Sequence, residues 1–421
     1  MSLVSTFTLS SLELTRFFFA MVLILFTAHS FGFLFYEAKL PRVIGEIFGG
    51  LVLGPTFLGY IAPDAENWVF GAFPSEGKLV SVISYFGLVL LMFISGFEIQ
   101  RSFSREDRKI ATSFLVGATF VPFIIGMLVP YFYNFAPYSG PNGNMLSLAI
   151  IVGIGVSVTS IPVISKIFID LKIMRTRFAK IVLAIATVED VIQFAALAIA
   201  TGVGASASAS LSLIGYTAFV TVAFFGASLL GLPRLIRYTI SSRFDVLIKH
   251  HPSRYALFLC FSMVALASLL NVNIVFGAFL AGIAIGMMPE EVFALAKSQV
   301  KSISLAVFTP MYFAVVGLKL DLIHSFDILF FLGFLLFSTA LKGGGALVVG
   351  KLIKQKRLPS LNLAIALNAR GGPGIVLATV AFDMGLISET FFVALVLTAI
   401  VTSLIAGFWL RYVKKKGWEL L

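Results

Sequence analysis

Apolar runs of about twenty residues, separated by short polar stretches, recur along the whole chain, and each is long enough for a helix to cross a bilayer. Thirteen such spans are predicted, at approximately 14–36, 41–60, 78–98, 109–133, 145–169, 177–204, 209–236, 254–270, 271–288, 302–320, 326–350, 359–382 and 390–411. The eighth and ninth are short and are joined only by Asn271-Val272-Asn273. The first is too long, and its flank too poor in basic residues, for a cleaved signal peptide. No stretch between spans is long enough for a soluble domain, so 1–421 reads as a single all-α polytopic membrane domain.

Composition sharpens this picture. Of the 421 residues, 59% are hydrophobic and 12% charged, with a mean hydropathy of +1.01; soluble chains lie nearer about 45–50% and 25%. A water-soluble enzyme, a nucleic-acid binder and a disordered scaffold are all excluded as classes. The net charge of +11 reflects topology: 26 of the 31 lysines and arginines fall after the odd-numbered spans, counting the C-terminus. Three others (Arg16, Lys78, Lys319) lie on the opposite side, and two (Lys342, Arg370) lie inside spans. The positive-inside rule then places the N-terminus outside and the tail Lys414-Lys415-Lys416 in the cytoplasm of a cell membrane. Phosphate binding would not need this alternation, so no nucleic-acid partner is expected. The single cysteine, Cys260, lies in an apolar run, which rules out a disulfide framework and a thiolate metal cluster. No structural-metal spacing and no Gly-rich nucleotide loop is visible, so neither a cofactor nor ATP-driven machinery is expected.

Matching segments recur seven spans apart. Gly49-Gly50-Leu51-Val52-Leu53-Gly54-Pro55 in span 2 resembles Ala281-Gly282-Ile283-Ala284-Ile285-Gly286 with Pro289 in span 9. Spans 3 and 10 end alike, in Gly96-Phe97-Glu98-Ile99 and Gly317-Leu318-Lys319-Leu320. Spans 5 and 12 carry helix-breaking residues at mid-membrane, Pro162 after Thr159-Ser160 and Gly371-Gly372-Pro373 after Arg370. Because seven is odd, matching segments cross the membrane in opposite directions. An inverted repeat of six plus six follows, 14–204 and 254–411, with a linker helix at 209–236, as in many secondary transporters. The run Gly204 to Ser210 reads as a flexible outward linker.

Broken helices cannot face lipid, and their ends present partial charges ready to hold ions. Thr159 and Ser160 supply hydroxyl oxygens at one interruption, although a hydroxyl in a span can equally bond back to its own helix. Glu189 and Asp190 lie at the centre of span 6, Lys342 just past the centre of span 11 and Arg370 at the centre of span 12. Each charge there costs about 2.5–3.5 kcal/mol even on the gentler insertion scale, so the four must pair, hydrate or serve ion movement. Adjacent helical residues point about 100° apart, so one carboxylate can neutralise a cation while the other faces a cavity. His29 in span 1 reads as a packed polar residue, His250 and His251 as solvated loop residues, and Glu46 as a carboxylate near enough to the interface to reach water.

At these residues the chain resembles the sodium/hydrogen exchanger superfamily, and within it the monovalent cation:proton antiporter-2 family. The resemblance covers about residues 15–410 and rests on Pro41 to Pro55, Thr159-Ser160-Ile161-Pro162, Thr187-Val188-Glu189-Asp190-Val191 and Gly277 to Gly282. It implies thirteen spans, a homodimer, and a mobile core with two crossing broken helices. It places the essential ion-binding aspartate on Asp190, an adjacent variable position on Glu189 and an intramembrane lysine on Lys342. Arg370 resembles a cation found more broadly in the superfamily, which leaves the partner of Glu189 open between Lys342 and Arg370. Some relatives carry a cytoplasmic nucleotide-binding domain; none is expected after Leu421.

The function expected is secondary antiport of a monovalent cation, Na⁺ first and K⁺ as the alternative, against H⁺. Asp190 would bind cation or proton in turn, Thr159 and Ser160 would complete the cation's oxygen shell, and Lys342 and Arg370 would compensate charge. A cation channel and a membrane receptor or intramembrane enzyme are the rivals from other classes; the spans carry no nucleophile–base set for the last.

Overall fold

The computed structural model describes residues 10–71, 76–97, 105–204, 211–241 and 251–421. It is helical throughout these residues, with a lone antiparallel bridge between Ser139 and Ile387. Among the described residues, twelve helical spans are long and apolar enough to cross a membrane, and a thirteenth apolar helix is shorter. Numbered by span, they begin with α1 (Ser11–Glu37), α2 (Arg42–Leu53), α3 (Glu76–Phe97), and α4a (Arg105–Leu115) with α4b (Val121–Phe132). There follow α5a (Met145–Ser157), α5b (Ile161–Asp170), α6 (Arg177–Gly204), α7 (Leu211–Ser241), α8 (Pro252–Leu269) and the short α9 (Ile274–Gly286). The rest are α10a (Glu290–Ile303), α10b (Thr309–Leu318), α11 (Ile328–Leu352), α12a (Arg357–Leu367), α12b (Gly371–Asp383) and α13 (Glu389–Lys415). Cys260 is buried in α8. The predicted linker at 205–210 and His250 lie outside the described residues, as does Glu98-Ile99.

One boundary and the placement of two interruptions differ from those expected from the sequence. The tenth span starts at Glu290 rather than 302, because Pro289 ends the preceding segment and Glu290 and Glu291 suit a helix N-terminus. Its first half is amphipathic, with Lys297 paired to Glu290 at 2.6 Å, so an apolar window passes it over. The second span runs over Arg42–Ile61, close to the limits expected, with α2 ending at Leu53 and a single turn, Leu58–Ile61, completing it. The interruptions in spans 5 and 12 precede the residues predicted to cause them. Pro162 and Gly371-Gly372-Pro373 open the second half-helices, while the breaks themselves are Val158–Ser160 and Asn368–Arg370. A first turn needs no N–H from proline, so Pro162 starts α5b more readily than it could interrupt a helix.

The chain folds as two compact units. The first comprises residues 1–91 and 301–324. Here α1, α2 and α10b pack backbone to backbone; a side chain at Gly50 would overlap the carbonyl of Ala314, and one at Gly317 that of Ile47. A widened π turn joins α10a to α10b, its Thr309 N–H bonding back to the Ser304 carbonyl. Pro310 has no N–H to return to the Ala306 carbonyl, and His29 Nε2 donates to that oxygen instead, at 3.0 Å. Glu46 is largely buried, 8% exposed, with Oε2 unpartnered among the described residues. Its neighbours are the tightly packed α1 backbone at Gly32 and the first turn of α2.

The second unit comprises residues 92–300 and 325–421 and holds both interrupted spans. Its core is lined by apolar faces of α5b, α6, α12a and α13, including Ile164, Phe168, Phe178, Ile185, Leu367 and Leu410. The interrupted spans fall at positions five and twelve, the pair that the repeat relates.

Candidate functional site: the crossing of the two interrupted helices

The break in span 5 and the break in span 12 meet. The Ser160 N–H donates to the Ala369 carbonyl at 2.6 Å, and Thr159 Oγ1 donates to the Leu367 carbonyl at 2.5 Å. Freed backbone groups of one half-helix are thus satisfied by the other, as their burial requires. Ser160 Oγ accepts from the Val163 N–H at 3.4 Å and caps α5b. Gly371, opening α12b, donates its N–H to Ser403 Oγ of α13 at 3.1 Å.

Two cations converge on the carboxyl end of α5a, where unsatisfied carbonyls carry partial negative charge. Both are held through α11, one turn apart. Lys342 Nζ donates to the Ser157 carbonyl, to Thr159 Oγ1 at 2.6 Å, and to Glu189 Oε2 at 3.4 Å. Arg370 donates to Ser338 Oγ at 2.6 Å, to the Val156 carbonyl at 3.2 Å and to Asn368 Oδ1 at 3.0 Å. The open question of the partner of Glu189 is therefore answered: it is Lys342, and Arg370 braces the breaks without touching a carboxylate in any of these bonds.

Glu189 has a second partner that the sequence did not bring forward. Thr119 Oγ1 donates to its Oε1. Thr119 sits in a π turn, Val116–Phe120, which closes with a bond from the Val121 N–H to the Val116 carbonyl. Such turns commonly mark functional positions. The available signal was Pro122, which follows this turn as Pro310 follows the other.

Asp190 stands apart. It is 1% exposed, and neither carboxylate oxygen has a hydrogen-bond partner among the described residues. A carboxylate in that setting must be neutralised by a proton or a cation, since an unpaired buried charge is prohibitively costly. The crossing thus contains one ion pair, one cation held by hydroxyl, backbone and amide oxygens, and one acid without a hydrogen-bond partner among the described residues. The hydroxyls expected in the cation shell also bond within the protein: Thr159 donates to the Leu367 carbonyl and accepts from Lys342, and Ser160 caps α5b.

Comparison with known proteins agrees with this architecture. Residues 18–416 match the family described as "Sodium/hydrogen exchanger, transmembrane". The chain belongs to that family. Its members are transporters rather than enzymes, and monovalent cation:proton antiport is their activity. Among relatives, the K(+)/H(+) antiporter 1 of Saccharomyces cerevisiae is 28% identical over 410 residues, 94% of this chain but 46% of that protein. The chain thus spans about half the length of the yeast protein. The Na(+)/H(+) antiporter NhaS4 of Synechocystis is 26% identical over 92% of this chain and 94% of its own. The Na(+)/H(+)-K(+) antiporter GerN of Bacillus cereus is 26% identical, covering 94% and 96%. The solved sodium proton antiporter MjNhaP1 of Methanocaldococcus jannaschii shares the fold, with a TM-score of 0.68 at 14% identity over 96% of this chain and 99% of its own.

Proposed function

We propose that the chain exchanges Na⁺ for H⁺ across a cell membrane by alternating access, with Asp190 carrying cation and proton in turn. The observation that carries this reading is the buried, unpartnered carboxylate of Asp190 beside a carboxylate already neutralised by Lys342. Mutually exclusive occupancy of one acid couples the two fluxes without any further device. Lys342 and Arg370 compensate charge at the crossing, and Thr159 and Ser160 hold the breaks together and add hydroxyl oxygens for the cation. Pro162 and Gly371-Gly372-Pro373 start the half-helices whose ends face the site. The names of the yeast and Bacillus relatives favour K⁺ as the second candidate ion. The lysine and arginine distribution supports a cytoplasmic C-terminus and an outside N-terminus, and family likeness supports a homodimer.

The test is a proteoliposome assay with a pH-sensitive dye inside, a pH gradient imposed, and Na⁺, K⁺ and Li⁺ added in turn. Cation-dependent proton efflux through the wild type, lost in Asp190→Asn, is the expected result. Efflux that persists in Asp190→Asn removes the assignment, and single-channel currents would replace antiport by conduction.

A further inference from the structure

On α6, three buried acceptor oxygens have no hydrogen-bond partner among the described residues: both of Asp190, and Oε1 of Gln193. Gln193 is 0% exposed. It lies three residues beyond Asp190, so the two side chains leave one helix face with Cβ atoms about 5–6 Å apart. A buried amide oxygen without a donor costs stability and calls for an explanation.

Which end of the amide carries the oxygen is fixed by the bonds around it. Ser157 Oγ donates to the Gly153 carbonyl at 2.9 Å, so its single hydrogen is spent. Toward Gln193 it can only accept, and it does so from Nε2 at 3.2 Å. The amide nitrogen is therefore the end tied to the last residue of α5a, and Oε1 is the end left without a donor.

We propose that Gln193 Oε1 is a ligand of the transported cation, bound together with the Asp190 carboxylate; the inference rests on the antiport reading above. Hard alkali cations take carboxylate and amide oxygens. Glu189 and Lys342 pair, and Arg370 is held by Ser338, Val156 and Asn368, so Asp190 is left as the carboxylate without a bonded cation and Gln193 as a neutral dipole beside it. That balance fits a single monovalent cation, whereas a divalent ion would leave an uncompensated charge in a dry site. The amide does not titrate, so it adds no second proton to the cycle. When Asp190 carries its proton, the acid O–H has Oε1 as its acceptor. The orphaned oxygen is thus satisfied with either cargo and unsatisfied only when the site is empty. Gln193 joins Thr159 and Ser160, the hydroxyls that sequence alone put forward, as an oxygen donor one helical turn from the acid.

The experiment follows the melting temperature of the purified full-length protein in detergent, at alkaline pH in choline chloride, as Na⁺, K⁺ or Li⁺ is added. Wild type should gain stability with its cation and Asp190→Asn should gain none. Gln193→Met keeps length and volume but lacks the oxygen. It should raise the half-effective cation concentration about tenfold, the worth of one neutral polar contact. Ser157→Ala removes the anchor but keeps the oxygen, and should raise it by about threefold or less. Gln193→Glu keeps an oxygen and adds a charge, so Ca²⁺ should stabilise this variant and not the wild type. The assignment is overturned if Gln193→Met matches wild type, if it matches Ser157→Ala, or if Gln193→Glu ignores Ca²⁺. Vesicle exchange is measured on the same preparations. Cation stabilisation that needs Gln193, in a protein that exchanges nothing, would sink the antiport reading and leave the ligand assignment standing. Absence of stabilisation by any alkali cation overturns both.

Discussion

Lys342 and Thr159 meet at 2.6 Å, and through that contact a lysine on α11 grips both interrupted helices at once. The threonine hydroxyl that accepts from Lys342 donates onward to the Leu367 carbonyl of α12a. The ammonium also holds the last carbonyl of α5a and the Glu189 carboxylate. Its three N–H groups therefore each have an acceptor on a different part of the crossing.

Removing that ammonium should be far worse than removing it with its partner. Breaking one side of a buried pair costs about 3–5 kcal/mol because the surviving charge is stranded. Lys342→Met is expected to lower the melting temperature strongly, and Lys342→Met with Glu189→Gln to recover most of the loss. A double variant no more stable than the single one would show that Lys342 acts through Ser157 and Thr159 alone.

Asp190→Asn should separate stability from transport. Without alkali cation, at alkaline pH, the wild-type carboxylate is charged, buried and unpaired, so the amide should raise the melting temperature. The gain should shrink as pH falls and the wild-type acid takes up its proton, and also as saturating cation is added. Thermal unfolding in choline and in the preferred cation, over a range of pH, reads this directly.

Proton and cation compete for Asp190 in the proposed cycle, which fixes the sign of the pH dependence. Once the acid is mostly protonated, each further unit of acidification should raise the apparent KM for the cation by up to about tenfold, since two exclusive ligands share one site. The maximal rate at saturating cation should change less. A KM independent of pH across the active range would contradict a shared site.

Glu189 bears on whether the cycle moves net charge. With Lys342 protonated the pair is neutral, and one Na⁺ against one H⁺ at Asp190 is electroneutral. If Lys342 also surrenders a proton when its bond to Glu189 opens, two H⁺ move per cation, and each 100 mV adds about 2.3 kcal/mol of drive. Exchange in vesicles should then respond to a valinomycin-imposed potential. Glu189→Gln, which removes the ion pair, should become indifferent to it.

Most of the helical layout could be read from apolar run length, and α6 shows the same limits in sequence and structure, 177–204. The charged centre was legible too, because Glu189, Asp190, Lys342 and Arg370 are costly residues in apolar surroundings. Their pairing was not, since Glu189 and Lys342 are brought together only by the packing of α11 on the crossing. Thr119 was hidden because a π turn shifts register by one residue without altering the apolar pattern, and only Pro122 betrays it. Thr159 and Ser160 were assigned to the cation because hydroxyls beside a break suit either role. The crossing supplies Leu367 and Lys342 as partners for Thr159, which no sequence pattern reveals. Gln193 carries no signal of its own in the sequence, being one polar residue a turn past two charged ones.

The glycine-packed face of α2 gives a further prediction, independent of ions. Gly50→Ala places a methyl group in the Ala314 carbonyl, and overpacking of this kind costs about 1–3 kcal/mol. Gly333→Ala on α11, where the added carbon meets open space, should be neutral or mildly stabilising. Melting temperatures of the two variants against wild type test the contrast.

The chain has a single cysteine, Cys260, and it is sealed within α8. Thiol reagents therefore meet almost no background on the natural protein. Spin labels, fluorophores or crosslinkers can be attached at engineered cysteines without first stripping the sequence of its own. Pairs placed on α11 and on the half-helices α5b and α12b would act as rulers across the crossing, reporting its rearrangement during turnover in an otherwise unmodified transporter.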